Sequence, residues 1–356
     1  MQELKTIFPV EHTKKSRLST INFEDLKFGQ VFSDHLLIAD YVQNNWKNAR
    51  LAPFDQISLS PAASVFHYGQ AIFEGLKAHR NSVGEILLFR PNKNWERINI
   101  SARRMCMPEV PKEIFMDGIK ELIRLDEDWV PNGEGKSLYL RPFMIADEAS
   151  LGVKASSSYK FIVITSPTSN YYSGTISVKI EDDYSRAASG GIGAAKAAAN
   201  YAASLFPAQQ AQNEGFDQLI WTDASEHKYI EESGTMNIMF KINGKLITPS
   251  VTSDTILKGV TRDSIIKLAK KWNVALEERK IPVSELINSL QKGEVEEAFG
   301  MGTAATIVPM HTIGHQKERY TLTDPTSWTF SNKAKQYLER LKRGKIEDEF
   351  GWIEKV

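Results

Sequence analysis

The chain has 356 residues, enough for two domains that each bury a core, and its 44 Lys and Arg balance 44 Asp and Glu, which excludes a global field for nucleic acid or an anionic membrane. A single cysteine, Cys106, excludes an intrachain disulfide and fits a reducing, cytoplasmic setting. No apolar run approaches the length of a membrane span, and Met1 to Leu18 mixes Glu, Lys and His with apolar residues, unlike a signal or transit peptide.

In chain order, Val31 to Val42 reads as a strand and residues 54 to 60 (Phe54, Ile57, Leu59) as another extended piece. His67 to Lys77 has few breakers and is expected to be helical. Glu85 to Phe89 is a short strand, while Asn94 to Met105 and Ile114 to Leu125 have helical spacing. Ser137 to Ala146 and Tyr159 to Thr165 read as buried strands and complete a first domain, residues 1–165. Residues 166–175, rich in turn formers and poor in aliphatics, are the expected linker to a second domain, 176–356. Strands are expected there at Ile176 to Ile180, Gln218 to Thr222, Tyr229 to Glu232, Asn237 to Ile242 and Lys245 to Thr248, with Asn243-Gly244 supplying a type I′ hairpin turn. Helices are expected from about Asn200, over Thr261 to Trp272, Val283 to Leu290 and Lys333 to Leu341, with strands at Glu296 to Phe299 and Thr306 to Met310. Both halves mix α and β without the strict alternation of a doubly wound sheet.

Between Ala187 and Ala208 the only formally charged side chain is Lys196, in Gly-Gly-Ile-Gly-Ala-Ala-Lys-Ala-Ala-Ala-Asn-Tyr. A nucleophilic lysine needs a lowered pKa, which apolar surroundings favour, and small neighbours leave room for a flat ring. The plain alternative is a surface lysine in an Ala-rich helix, which Gly190, Gly191 and Gly193 oppose. A P-loop needs Ser or Thr after Gly-Lys, and a dinucleotide fingerprint needs a small residue at 196, so neither motif is present.

Glu231-Glu232-Ser233-Gly234-Thr235-Met236-Asn237 interrupts two apolar strands. Strand alternation puts Glu231 and Glu232 on opposite faces, so one of them can reach a pocket, where a carboxylate could hold a pyridine nitrogen protonated. A polar β-turn with two solvated glutamates is the competing reading. Leu257-Lys258-Gly259-Val260-Thr261-Arg262 runs into a predicted helix, and Gly300-Met301-Gly302-Thr303-Ala304-Ala305 follows a predicted strand. Each combines glycine with a hydroxyl and suits an anion, or is only a cap or a loop.

Together these stretches resemble the branched-chain aminotransferases, pyridoxal-phosphate enzymes of fold type IV. The marks are Gly-Gly-Ile-Gly-Ala-Ala-Lys-x4-Tyr, Glu-x-Gly-Thr-Met-Asn and Phe-Gly-Met-Gly-Thr-Ala. His67 to Lys77 and Ser137-Leu138-Tyr139-Leu140-Arg141-Pro142 also match. The resemblance implies a mixed α/β fold with a smaller N-terminal α/β domain, a larger pseudo-barrel-like C-terminal domain, and at least a homodimer. It implies that Lys196 carries pyridoxal 5′-phosphate covalently and moves the substrate α-proton, and that Glu232, rather than Glu231, pairs with the pyridine nitrogen. Tyr201 would meet the ring's phenolic oxygen. Arg97, Val260, Thr261 and Thr303 would bind the phosphate, and Arg186, Thr235 and Leu257 would complete the cofactor shell. Phe28, Tyr68, Phe73 and Tyr139 would wall an apolar substrate pocket, Thr303 and Ala304 would offer N–H groups to the α-carboxylate, and Arg141 would meet a distal carboxylate. Val153 would reach the neighbouring subunit's site. The implied substrates are L-leucine, L-isoleucine and L-valine with 2-oxoglutarate, and no metal. One departure is that a Cys-x-x-Cys pair of some animal relatives falls on Ala305 and Val308, so no thiol switch is expected there.

Sister activities of the same fold, D-amino acid transamination or aminodeoxychorismate cleavage, are the nearest rivals, disfavoured by Glu-x-Gly-Thr-Met-Asn and Tyr139-Leu140-Arg141. A non-catalytic cofactor-binding protein is opposed by Lys196, Tyr201 and Glu232 occurring together. A metal hydrolase built on His311 and His315 would need helical spacing, which Pro309 and Gly314 oppose.

Overall fold

The computed structural model describes residues 7–169, 174–304 and 306–356. The chain divides into two compact units, Met1–Tyr171 with Ala195–Ala199 and Arg340–Val356, and Tyr172–Ala194 with Asn200–Glu339. The chain returns twice to the first unit, at Ala195–Ala199 and at Arg340–Val356.

The first unit is built on β1 (His35–Val42), β2 (Asn45–Pro53), β3 (Ala71–Phe73), β4 (Leu76–Arg80), β5 (Ile86–Phe89), β6 (Ser137–Ala146) and β7 (Tyr159–Thr168). With the C-terminal strand Ile353–Lys355 on β5, the order is β5-β4-β6-β7-β1-β2, and β3 pairs with β6 beside β4. All of these pairings are antiparallel. Helices α1 (Ser64–Tyr68), α2 (Pro91–Arg104) and α3 (Gly118–Leu125) accompany the sheet. Alternation along β1 sorts its side chains: Leu36 and Ile38 pack with Ile162, while Leu37 lies against Gly118 of α3, where a Cβ would stand 2.6 Å from it. Leu37, Leu51, Phe115 and Phe161 are fully buried, each stabilising the fold by about 1.5–3 kcal/mol.

Three expectations change here. The extended piece at 54 to 60 is loop, and the strand precedes it as β2, whose polar sequence hides the alternation. The hairpin to β2 turns on Gln43 and Asn44, both at positive φ (54° and 61°). His67 to Lys77 is not one helix. Gly69 adopts the left-handed conformation (φ 61°) that ends α1, and the chain then runs into β3 and β4. Ser166 to Thr168 of the expected linker lie in β7, where Thr168 pairs with Ser137, and Asn170 to Ser173 lie outside the described residues.

The second unit contains β8 (Ile176–Ile180), α4 (Ala198–Ala203), α5 (Leu205–Asn213), β9 (Gln218–Thr222), β10 (Tyr229–Ser233), β11 (Asn237–Ile242), β12 (Lys245–Pro249), α6 (Val260–Lys271), β13 (Leu276–Arg279), β14 (Ile281–Pro282), α7 (Val283–Gln291), β15 (Val295–Gly302), β16 (Thr306–His315) and β17 (Glu318–Thr321). Helix α8 (Phe330–Lys342) follows; α4 begins, and α8 ends, in the returning stretches of the first unit. The sheet order is β13-β12-β11-β15-β16-β8-β9-β10-β14, with β17 on β16. β8 runs parallel to both β16 and β9. Ile238, Phe240, Val178, Ile180, Ile220, Met310 and Ile313 form one core among the described residues. The I′ turn lies at Asn243-Gly244 (φ 49° and 77°). Strands β13, β14 and β17 are unexpected from sequence: they are short edge pieces with charged or proline-containing sequences.

Candidate active site

In the first unit, Lys196 lies outside any helix. α4 starts two residues later, so the Ala-rich surface-helix reading is set aside. Three backbone contacts hold the lysine stretch. Its own N–H donates to Ser101 Oγ (2.9 Å), its C=O accepts from Phe73 N–H (3.0 Å), and Ala197 bridges Ile72. The Lys196 ammonium sits 4.7 Å from the Phe73 ring centroid.

Phe73 also carries the Arg141 guanidinium, at 4.7 Å. Arg141 lies 5.4 Å from the Tyr139 ring and donates to Tyr139 Oη (3.2 Å), and Tyr139 meets Phe28 edge-on at 4.9 Å. Lys196, Phe73, Arg141, Tyr139 and Phe28 therefore form one chain of contacts. Gly75 belongs with them, because a Cβ there would lie 2.1 Å from Tyr139 Oη. Tyr68 and Val153 sit at the surface: the Tyr68 hydroxyl donates to the Leu151 carbonyl, and Val153 is 86% exposed.

Arg97 is buried against Glu74, which sequence reasoning left without a role. Arg97 Nε and Nη2 donate to Glu74 Oε1 and Oε2 at 2.6 and 2.9 Å. The available signal was a carboxylate inside the apolar run Ala71-Ile72-Phe73-Glu74-Gly75-Leu76. Burial raises the Glu74 carboxyl, but the adjacent Arg97 and the charge of Lys196 outweigh it and hold it below the ordinary carboxylate range.

In the second unit, Glu232 is buried at the end of β10. Arg186 Nε lies 3.0 Å from its Oε2, and Asn237 Nδ2 and Leu257 N–H donate to its Oε1 at 2.8 and 3.0 Å. The expected opposition of Glu231 and Glu232 does not hold. Between Ile230 and Ser233, β10 advances three residues against two on β9, a bulge that abolishes the alternation. Both carboxylates consequently bond to the segment before α6, since Glu231 Oε1 accepts from Thr255 Oγ1 (2.6 Å). Burial pushes the Glu231 carboxyl above its ordinary range, against that hydrogen bond and the Arg186 charge. The solvated β-turn reading fails, because both glutamates are buried.

Asn237 links the parts, donating to Leu257 O (2.9 Å) as well as to Glu232. Its Oδ1 fills the space beside Gly259, where a Cβ would stand 1.9 Å away. Gly259 is the N-cap of α6, so Val260 and Thr261 lie in its first turn. Thr235 is exposed in the turn between β10 and β11. Met236, which follows it, packs against Gly300 and Gly302 of β15, the strand that delivers Thr303 and Ala304. Tyr201 is half-buried on α4. Ala305 lies outside the described residues, whereas Val308 is buried in β16. His311 and His315 lie on β16 rather than on a helix, and His315 Nε2 stands 3.3 Å from Asp182 Oδ1.

The chemistry of each unit suits pyridoxal phosphate. The first holds an amine for an aldehyde and a guanidinium for a phosphate; the second holds a buried carboxylate kept by directed donors for a ring nitrogen and a helix N-terminus for a phosphate.

The family model for class IV aminotransferases matches residues 71–313. The chain is 45% identical over 335 residues to branched-chain-amino-acid aminotransferase 2 of Bacillus subtilis, covering 93% of this chain and 92% of the relative. It is 43% identical over 338 residues to the branched-chain-amino-acid aminotransferase of Mycolicibacterium smegmatis, covering 92% of each. The Escherichia coli branched-chain amino acid aminotransferase has a similar solved structure, with TM-score 0.71, 26% identity, and coverage of 90% of this chain and 98% of that one. A Thermoproteus uzoniensis branched-chain aminotransferase solved with norvaline shares the fold at TM-score 0.74 and 23% identity, over 90% and 99% of the two chains.

Proposed function

The chain belongs to the class IV aminotransferases, and from that premise we propose that it exchanges the amino group of L-leucine, L-isoleucine or L-valine with 2-oxoglutarate, giving branched-chain 2-oxo acids and L-glutamate. The observation that carries the substrate class is the match, over more than nine-tenths of each chain, to relatives named for that activity.

Pyridoxal 5′-phosphate, when bound, supplies the electron sink for proton loss at the substrate α-carbon. Lys196 would be its covalent anchor, and the amine of the same lysine would be the group that moves the proton at the substrate α-carbon. Glu232 would hold the pyridine nitrogen protonated, and the donors of Asn237 and Leu257, with Arg186, keep the carboxylate in one orientation. Tyr201 would donate to the phenolic oxygen. Arg97 would be a phosphate ligand, as would Thr303 and the α6 start at Val260 and Thr261, and Arg186, Thr235 and Leu257 would complete the shell.

Phe28, Tyr68, Phe73 and Tyr139 exclude water from a branched side chain, and the N–H groups of Thr303 and Ala304 orient the α-carboxylate. Arg141 resolves the dual specificity. Its guanidinium lies on Phe73 and Tyr139, so an apolar side chain meets aromatic surface, while a distal carboxylate draws the fork towards itself. A second copy of the chain is part of this reading. Phe66, Leu151 and Val153 are 62, 64 and 86% exposed, a small apolar surface around Tyr68 that a partner subunit would cover, bringing Val153 to its site. A reducing, cytoplasmic setting accords with the single exposed cysteine.

The test is a visible absorption spectrum of the cofactor-loaded protein with L-leucine and then 2-oxoglutarate. The long-wavelength band of the lysine-bound cofactor is expected to disappear with leucine and return with the oxo acid. Lys196→Ala should bind cofactor without that band and lose most turnover. A band that answers only D-alanine or aminodeoxychorismate would move the protein to a sister activity, and normal turnover by Lys196→Ala would refute the mechanism.

A further inference from the structure

Glu74 is fully buried, and both oxygens of its carboxylate accept hydrogen bonds. Arg97 Nε reaches Oε1, while Arg97 Nη2, Asn94 Nδ2 and Gly75 N–H reach Oε2 at 2.9, 2.8 and 3.1 Å. This is the side-on fork in which two of the five guanidinium N–H groups are committed to one carboxylate and the plane of the other three is set. A lysine would keep the charge and lose that plane.

The backbone around Glu74 is held equally tightly. Its own N–H donates to Pro142 O (2.7 Å) on β6, and the N–H before it, on Phe73, donates to the carbonyl of Lys196. Helix α2 closes the arrangement from the other side. Asn94, Arg97 and Ser101, spaced three and four apart, share one helix face. Asn94 and Arg97 grip the Glu74 carboxylate, and Ser101 accepts the Lys196 N–H. One buried carboxylate thus ties the helix that carries the guanidinium to the strand that carries the lysine stretch.

Building on the reading of Arg97 as a phosphate ligand, we propose that Glu74 is a positioning residue: its carboxylate fixes the Arg97 guanidinium relative to Lys196 and thereby sets the span between the anchoring amine and the cofactor phosphate. A merely structural carboxylate would affect any ring compound that reacts with Lys196. A carboxylate acting through Arg97 affects only those bearing a phosphate.

The experiment is absorbance titration of cofactor-depleted full-length protein with pyridoxal 5′-phosphate and with pyridoxal, for the parent, Glu74→Gln, Arg97→Met and the double variant. In Glu74→Gln the amide NH2 would face donors on every side. The variant should bind pyridoxal phosphate about tenfold more weakly, the loss of a charge-assisted hydrogen bond, and bind pyridoxal within about twofold of the parent. Arg97→Met should show the same selectivity for the phosphate, and the double variant should be no weaker than Arg97→Met alone. Should Glu74→Gln fail to fold, Glu74→Asp keeps the charge and retracts the fork by one methylene, and the same phosphate-selective loss is expected. Equal weakening of both ligands, no weakening, or additive losses in the double variant would each overturn the proposal while leaving Arg97 as phosphate ligand. An Arg97→Met protein that binds both ligands as the parent does would refute the phosphate reading itself.

Discussion

Gly259→Ala places a methyl group where the structure has no room for one. The added Cβ would lie 1.9 Å from Asn237 Oδ1, less than a van der Waals contact by more than an ångström, so Asn237 must rotate. That side chain is buried and donates to both Glu232 Oε1 (2.8 Å) and Leu257 O (2.9 Å). The bond to a carboxylate contributes about 1.5–3 kcal/mol and the bond to a carbonyl about 0.5–1.5 kcal/mol, so rotation destabilises the second unit by about 2–4 kcal/mol. At about 3 °C per kcal/mol for a unit of this size, thermal unfolding should move down by about 6–12 °C. Differential scanning calorimetry of Gly259→Ala, Asn237→Ala and the double variant separates the causes. If the clash acts through Asn237, the double variant unfolds close to Asn237→Ala, since the small residue at 237 accommodates the new methyl. A Gly259→Ala protein as stable as the parent, or a double variant carrying both losses in full, would refute the reasoning.

Gly193→Ala should be still more damaging and should not be rescued by trimming a side chain. Its Cβ would stand 2.5 Å from the backbone carbonyl of Thr255, which also accepts from Arg186, and thermal unfolding compared with Gly259→Ala checks the order. Asp223 gives a pH dependence. Burial raises its carboxyl, but the Ser225 hydroxyl and the N–H groups of Tyr229, Glu226 and Lys228 outweigh this and bring it down to about 2. A carboxyl held below its unfolded value contributes stability that is present above about pH 4 and is lost as pH falls towards 2. Asp223→Asn should therefore lower stability at pH 7 by about 1 kcal/mol, discounted for partial solvent exposure, with the difference shrinking across that acid range in denaturant titrations. A difference that is unchanged at pH 2.5 would refute the assignment.

The local signals legible in the sequence were those written by strong periodicity or by special residues. The run Ser137 to Ala146, read as a buried strand, became β6 with the expected bounds, and Asn243-Gly244 turned the β11–β12 hairpin as a pair tolerant of positive φ must. The lone Lys196, the Glu-x-Gly-Thr turn and the glycine at the start of α6 could each be found because glycine and an isolated charge in apolar sequence are conspicuous. Long-range pairing decided the rest. His67 to Lys77 has no strong local breaker except its glycines, and it became strand because β6 offers β3 and β4 a partner edge, a contact separated by about seventy residues of chain. Glu231 and Glu232 could not be sorted by alternation, because the extra residue on β10 exists only relative to the pairing of β9. Arg97 and Glu74 lie on a helix and at a strand break that nothing local connects. Their fork forms only when α2 packs, because burying either charge without the other would be strongly unfavourable. Residue identity thus determined which chemistries the chain carries, since amine, carboxylate and guanidinium are properties of side chains. Tertiary structure alone decided which of them meet, because strand register and helix packing are set by contacts between distant parts of the chain.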